Sequence, residues 1–273
     1  MNQTPIPEPL TLDLLESVPG VLGKICRERL SDYQNATLDT TFALSRRPSF
    51  ADALKRDDLG TKTLAVIAEV KRASPSQGHI ANLNPVDAAK AYEAGGAAAL
   101  SILTEPRHFG GELGHLEQVA AHVNLPLLRK DFTVHPVQIV EAKRADASAV
   151  LLIVAATQHR TKAYLDFSHA LGLDVLVEVH DEAELEIALG AGSKIIGVNN
   201  RDLRTLEINL NNAPKLIQTA KNLGFDGILV AESGYSKLEQ LNELVGLADA
   251  VLIGTSLASS GNLTTALQQL QKA

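Results

Sequence analysis

The sequence predicts a (β/α)8 barrel carrying an N-terminal helical extension. Three observations carry that expectation. The chain has 273 residues, and one such barrel takes about 250. Eight short apolar runs alternate with helical signals, as strands buried on both faces of a parallel sheet do. No Gly-x-Gly-x-x-Gly turn follows the first run, which disfavours an open dinucleotide-binding sheet. Periodicity alone cannot show closure, so the open doubly wound sheet stays as the alternative. Length alone also allows two domains of about 130 residues.

Residues 1–62 stand before the first run and read as an arm packing on the barrel, within a single domain over 1–273. Leu10 to Ser17 form a short segment, and Pro19-Gly20 should break it from the next helix. Val21, Leu22, Ile25, Cys26, Leu30 and Tyr33 then recur at helical spacing. Ser49 to Lys55 suggests another short helix. The expected strands are 64–70, 98–103, 126–128, 149–154, 174–179, 194–198, 227–230 and 250–253. Between them, Asn84 caps a helix opened by Pro85 and stopped at Gly95-Gly96. Pro136 opens a helix with Ile139, Val140 and Ala142. Asp181 with Glu184 caps one ending near Gly190 or Gly192, and Ser236 to Glu239 fits a capping box. Helices are also expected over 158–171, 211–223 and 262–272.

Composition narrows the function. The net charge is −7, so no overall basic field for nucleic acid exists. Aromatic residues are 4% and tryptophan is absent, which disfavours a stacking platform for single strands. One cysteine, Cys26, excludes an intrachain disulfide and a Cys-rich zinc site. The longest nearly apolar stretch, Ala145 to Ala156, is interrupted by Asp146 and Ser148 and is too short for a bilayer. The first nine residues hold three prolines and no basic residue, unlike a signal peptide. A soluble cytoplasmic protein is expected. The eight histidines form no metal-ligand pattern, and no metal is expected.

Charge at the strand ends is the informative pattern. In such barrels the C-terminal strand ends build the active site. The first strand carries Glu69, then Lys71, on one side of the chain. The third runs into Arg129, Lys130, Asp131 and Phe132. The fifth carries Glu178, the sixth runs into Asn199 and Arg201, and the seventh ends in Glu232. Three acids and two lysines thus converge on one mouth, and packing alone gives no reason to desolvate them. Satisfied ion pairs closing the barrel top are the plainer possibility. Ser233-Gly234 and Gly254-Thr255 fall in the loops that often hold a phosphate, although each glycine also suits an ordinary turn. Glu69 and Lys71 suit acid/base exchange. Lys130 suits a general acid or a Schiff-base nucleophile. Arg201 suits a carboxylate. Phe109 and Phe132 could flank an aromatic ring or simply pack.

These strand ends resemble the indole-3-glycerol-phosphate synthase family. The resemblance rests on Ile67 to Ser76, Leu128 to Phe132, Leu176 to His180, Asn199 to Leu203, and Ala231 to Gly234. It runs from about Pro48 to Leu257, and more weakly before that. It implies a cofactor-free barrel. The implied reaction closes 1-(2-carboxyphenylamino)-1-deoxyribulose 5-phosphate to indole-3-glycerol phosphate, with loss of CO2 and water. By the same resemblance Lys130 protonates the developing alkoxide, Glu178 helps stabilise the cation, and Glu69 and Lys71 serve the dehydration. Which lysine serves which step stays open. Asn199 and Arg201 would hold hydroxyls or the carboxylate, with Glu232 beside the substrate. Phe109, Phe132, Leu203 and Pro75 would line the ring pocket. Ser74, Ser233, Gly234, Gly254 and Thr255 would hold the phosphate. A monomer acting on a small phosphorylated substrate, away from nucleic acid and membrane, is implied. Gln77, Glu112 and Thr255 depart from the usual pattern without removing a catalytic group. A lysine-dependent aldolase, a sugar-phosphate isomerase and a non-catalytic phosphometabolite binder remain as competing functions.

Overall fold

The structure is a computed structural model describing residues 4–39, 41, 47–55 and 64–271. The parts of the expected arm that fall on residues 1–3, 40, 42–46 and 56–62, and the end of the helix expected over 262–272, lie outside the described residues.

Eight parallel strands close into a barrel. They are β1 (Ala65–Val70), β2 (Ala99–Leu103), β3 (Leu127–Lys130), β4 (Ala149–Ile153), β5 (Asp174–Val179), β6 (Ile195–Asn199), β7 (Ile228–Glu232) and β8 (Ala250–Ile253). β1 pairs with both β2 and β8, which closes the ring. The open sheet is thereby excluded. Nearly every strand residue is buried, as expected of a parallel sheet covered by helices.

Three strands run further than their apolar residues suggest. β3 includes Arg129 and Lys130, β6 includes Asn199, and β7 includes Glu232. An apolar run ends at the first polar side chain, whereas the ladder continues and presents that side chain at the mouth. Register then sets the neighbours of the polar residues: Glu69 lies beside Ser101, Lys130 beside Leu103, Glu178 beside Gly197, and Asn199 beside Glu232.

Among the described residues three helices precede the barrel: α1 (Leu12–Glu16), α2 (Gly20–Tyr33) and α3 (Phe50–Leu54). Pro19 and Gly20 separate the first two as expected. α2 is lashed to the residue after β3 and to the helix that follows (Pro136–Arg144) by polar and charged contacts as well as apolar ones. Arg29 donates twice to Asp131, at 3.1 and 2.7 Å, and the Tyr33 hydroxyl donates to Glu141 at 2.7 Å. Asp131 also accepts from Thr104 and Arg129. Burial opposes its ionised form, but the two guanidiniums outweigh that and keep its pKa below the usual carboxylate range.

The outer helices begin where the capping signals place them. Asn84 accepts from the amides of Val86 and Asp87, and Asp181 accepts from Glu184. One capping expectation is displaced. The helix after β7 spans Leu238–Asn242, and it is the Gln240 side chain, not Glu239, that reaches back. Its carbonyl accepts from the amides of Ser236 and Lys237 at 2.9 and 3.0 Å.

Candidate active site

The strand ends surround a cavity on the C-terminal side of the barrel. Glu69, Lys71, Lys130, Glu178, Asn199, Arg201 and Glu232 lie along it. Lys130 stands between two acids, with Nζ 2.7 Å from Glu232 Oε2 and 3.3 Å from Glu178 Oε2. Across the mouth, Lys71 Nζ lies 3.1 Å from Glu69 Oε1, and Ser101 donates to Glu69 Oε2 at 3.3 Å.

The two acids around Lys130 differ in their second oxygen. Glu178 Oε1 accepts from Asn199 Nδ2 at 3.0 Å. His180 Nε2 lies 3.4 Å from the same oxygen. Glu232 Oε1 is buried without a hydrogen-bond partner among the described residues. Burial raises both carboxyls. At Glu178 the Lys130, His180 and Asn199 contacts outweigh it, and the group titrates well below the usual range. At Glu232 burial and the Glu178 charge win over Lys130, and its pKa stands above the usual range. Burial also works against the Lys130 ammonium, but Glu232, Glu178 and Glu69 hold its pKa above that of an ordinary lysine.

The walls are apolar. Phe109 and Phe132 lie with ring centroids 5.8 Å apart, and Lys71 Nζ sits 5.5 Å from the Phe109 centroid. Pro75 and Leu203 join them, together with Val21, Leu22 and Ile25 of α2. Phe109 is positioned from below. The buried Glu105 carboxylate accepts from the amides of Arg107, His108 and Phe109 and so pins the short helix Pro106–Phe109.

A second, adjoining cavity meets this one at Glu69, Lys71, Arg201 and Ser233. It is lined by Ser233, Gly234, Gly254 and Thr255, with Gln77 at its rim. Ser233 and Gly234 take consecutive positive φ values of 66° and 92°. Ser74 lies in the first cavity, its hydroxyl 3.4 Å from that of Ser76. Gly254 has a further role: a Cβ there would fall 2.4 Å from Glu69 Oε1. Among the described residues no group of three or more His, Cys, Asp and Glu side chains is placed to hold a metal ion. Glu112 points away, with 69% of its side chain exposed.

A sequence profile of the indole-3-glycerol phosphate synthase family matches residues 24–270. The chain belongs to that family. A Deinococcus radiodurans protein called indole-3-glycerol phosphate synthase is 54% identical over 258 residues, covering 94% of this chain and 96% of its own. One of the same description from Aquifex aeolicus is 45% identical over 254 residues, covering 89% and 97%. A thiamine phosphate pyrophosphorylase structure from Pyrococcus furiosus superposes with a TM-score of 0.56 at 15% identity, over 79% of this chain and 96% of that one. This last likeness concerns the fold alone.

All sixteen residues expected at the site lie along these two cavities. Sequence reasoning missed others. Val21, Leu22 and Ile25 read as a stripe packing on the barrel, yet they also line the cavity. Gly197 is a glycine inside a buried strand, the sequence mark of a close approach. A Cβ at Gly197 would lie 2.1 Å from Glu232 Oε1, so the glycine makes room for that carboxyl. The buried Glu105 and the His180–Glu184 contact at 3.0 Å gave no periodic signal at all.

Proposed function

We propose that the chain converts 1-(2-carboxyphenylamino)-1-deoxyribulose 5-phosphate to indole-3-glycerol phosphate, CO2 and water, as the names of its relatives suggest. One observation carries this reading: Lys130, held charged by two buried acids, faces an apolar pocket that adjoins a small-residue cavity. The phosphate would take the Ser233–Gly234 and Gly254–Thr255 cavity, with Ser74 at its edge. The anthranilate ring would lie between Phe109, Phe132, Pro75 and Leu203. Its carboxylate would face Arg201, whose guanidinium is half-buried and anchored to the Leu206 carbonyl at 2.8 Å.

The ring carbon bearing the carboxylate attacks the ketone carbon. The carbonyl electron pair moves to oxygen, where Lys130 delivers a proton. An alkoxide is a stronger base than any carboxylate, so it can take the proton that Glu178 and Glu232 leave on the lysine. The ring becomes cationic, and the ionised Glu178 opposes that charge. Loss of CO2 returns the bonding pair and restores aromaticity. Removal of a proton and of the new hydroxyl as water completes the indole, and Glu69 with Lys71 form the acid/base pair for that step. Asn199 acts on Glu178 by fixing one oxygen.

The same reading takes the arm and barrel as one domain of a cytoplasmic monomer. The net charge of −7 disfavours nucleic acid, while Lys71, Lys130 and Arg201 supply local cations for a small anionic substrate. Indole fluorescence tests the activity, because the chain has no tryptophan to mask it. Emission should grow after adding the substrate with EDTA present. Lys130→Ala should lower kcat by about 10² or more, as for a lost general acid. A flat trace with tight binding would point instead to a binder.

A further inference from the structure

His180 follows β5 directly and takes no part in the chemical steps proposed for the site. Its ring is held between two carboxylates. Nδ1 lies 3.0 Å from Glu184 Oε2 in a hydrogen bond, while Nε2 lies 3.4 Å from Glu178 Oε1 as a charge contact and has no hydrogen-bond partner among the described residues. Glu184 is itself fixed. Its Oε2 accepts the His180 backbone amide at 2.8 Å, and its own amide donates to the helix cap Asp181 at 2.9 Å.

We infer that His180 and Glu184 form a positioning pair that keeps the Glu178 carboxylate aimed and ionised behind the reacting centre. The inference rests on the proposed role of Glu178. A neutral imidazole has one N–H and one lone pair. Either tautomer would turn a lone pair onto a carboxylate oxygen here. Only the imidazolium suits both neighbours.

Proton transfer from Lys130 creates the need for a second cation. The lysine lies closer to Glu232 than to Glu178, and it must surrender its proton to the substrate oxygen. At that moment the neutral Asn199 would be the only other donor on a buried Glu178. His180 supplies a charge that stays in place. Around it, Asp181, Arg201, Asp202, Arg204 and Glu207 line the neighbouring cavity, where Arg204 pairs with Asp202 at 2.9 Å. Burial lowers the His180 pKa, but Glu178 and Glu184 on its two nitrogens push it up to about 10.

The test uses the full chain, three single variants and one double variant, with thermal melts to confirm folding. His180→Gln should lower kcat about tenfold, the lower range for losing a group that orients a reacting one. KM should stay within about twofold. The acid limb of kcat should move to higher pH, because Glu178 becomes harder to ionise. Glu184→Gln should match the parent at low pH and fail as pH rises, because its imidazolium loses a proton earlier. Adding His180→Gln to Glu178→Gln should cost nothing more. An unchanged kcat and acid limb in His180→Gln, beside an impaired Glu178→Gln, would overturn the pairing and leave the role of Glu178 standing. An unchanged Glu178→Gln would remove the role of Glu178 beneath it. A readout without activity is 15N NMR of histidine-labelled protein. His180, assigned by its shift in Glu184→Gln, should carry both ring protons at pH 8. An imidazole titrating near its ordinary value of about 6.5 would overturn the inference.

Discussion

Glu178 and Glu232 touch the same lysine, yet their surroundings make them different reagents. Glu178 has a donor or cation at both oxygens. Glu232 has the shorter contact to Lys130 at 2.7 Å but leaves Oε1 without a partner. An unpaired buried carboxylate oxygen is costly, and protonation is the cheapest relief. Glu232 therefore tolerates neutrality and Glu178 does not. The consequence is testable with isosteric changes. Glu178→Gln should lower kcat by about 10², because it removes a charge opposite the developing cation. Glu232→Gln should cost about tenfold or less, because it resembles a state the site already visits. Steady-state rates of the two variants at one pH decide this, and the reverse order would transfer the electrostatic role to Glu232.

At the scale of elements, the strand order and the mouth were legible because both are written in local chemistry. Buried parallel strands are short apolar runs, and a charge such as Glu178 inside one points to a site. The ends of β3, β6 and β7 were misjudged for the same reason: Lys130, Asn199 and Glu232 interrupt an apolar run without interrupting the ladder. What could not be read was contact between distant segments. Nothing in the α2 sequence says that Arg29 meets Asp131, 102 residues away. That pair ties the arm to the residue after Lys130. Its side chains are 6% and 0% exposed, so breaking it leaves a buried carboxylate with one cation fewer. Arg29→Met should destabilise the fold by about 3 kcal/mol, the low end for a broken buried pair because Arg129 remains. Urea unfolding measures the loss, and a cost below about 1 kcal/mol would class the contact with exposed ion pairs. Gly197→Ala is the companion case on β6. Its methyl must displace the Glu232 carboxyl, so about 1–3 kcal/mol of overpacking should come with impaired turnover.

Across the whole molecule, the buried charges that build the site also shape how stability varies with pH. Asp131 and Glu178 titrate below their ordinary values of 3.8 and 4.5. A depressed carboxylate stabilises the fold above its unfolded pKa, and that contribution is lost as pH falls through the folded one. These two groups therefore build an acid limb. His180 works in the other direction. Its pKa rises from 6.5 to about 10, so its contribution is complete below 6.5 and declines until pH passes 10. Glu232, raised by burial from 4.5 to about 7, adds an earlier loss that begins above pH 4.5 and is complete near its folded pKa, before most of the His180 descent. Stability should accordingly peak well on the acidic side of neutrality, at about pH 5, although the net charge is already −7 at pH 7. Melting temperatures from pH 4 to pH 10 trace both limbs. Replacing His180 by glutamine should flatten the descent above pH 6.5 and shrink the Glu178 share of the acid limb, while the Asp131 share stays, since that group still titrates against Arg29 and Arg129. A descent equally steep in that variant would assign the alkaline loss to groups other than the imidazolium.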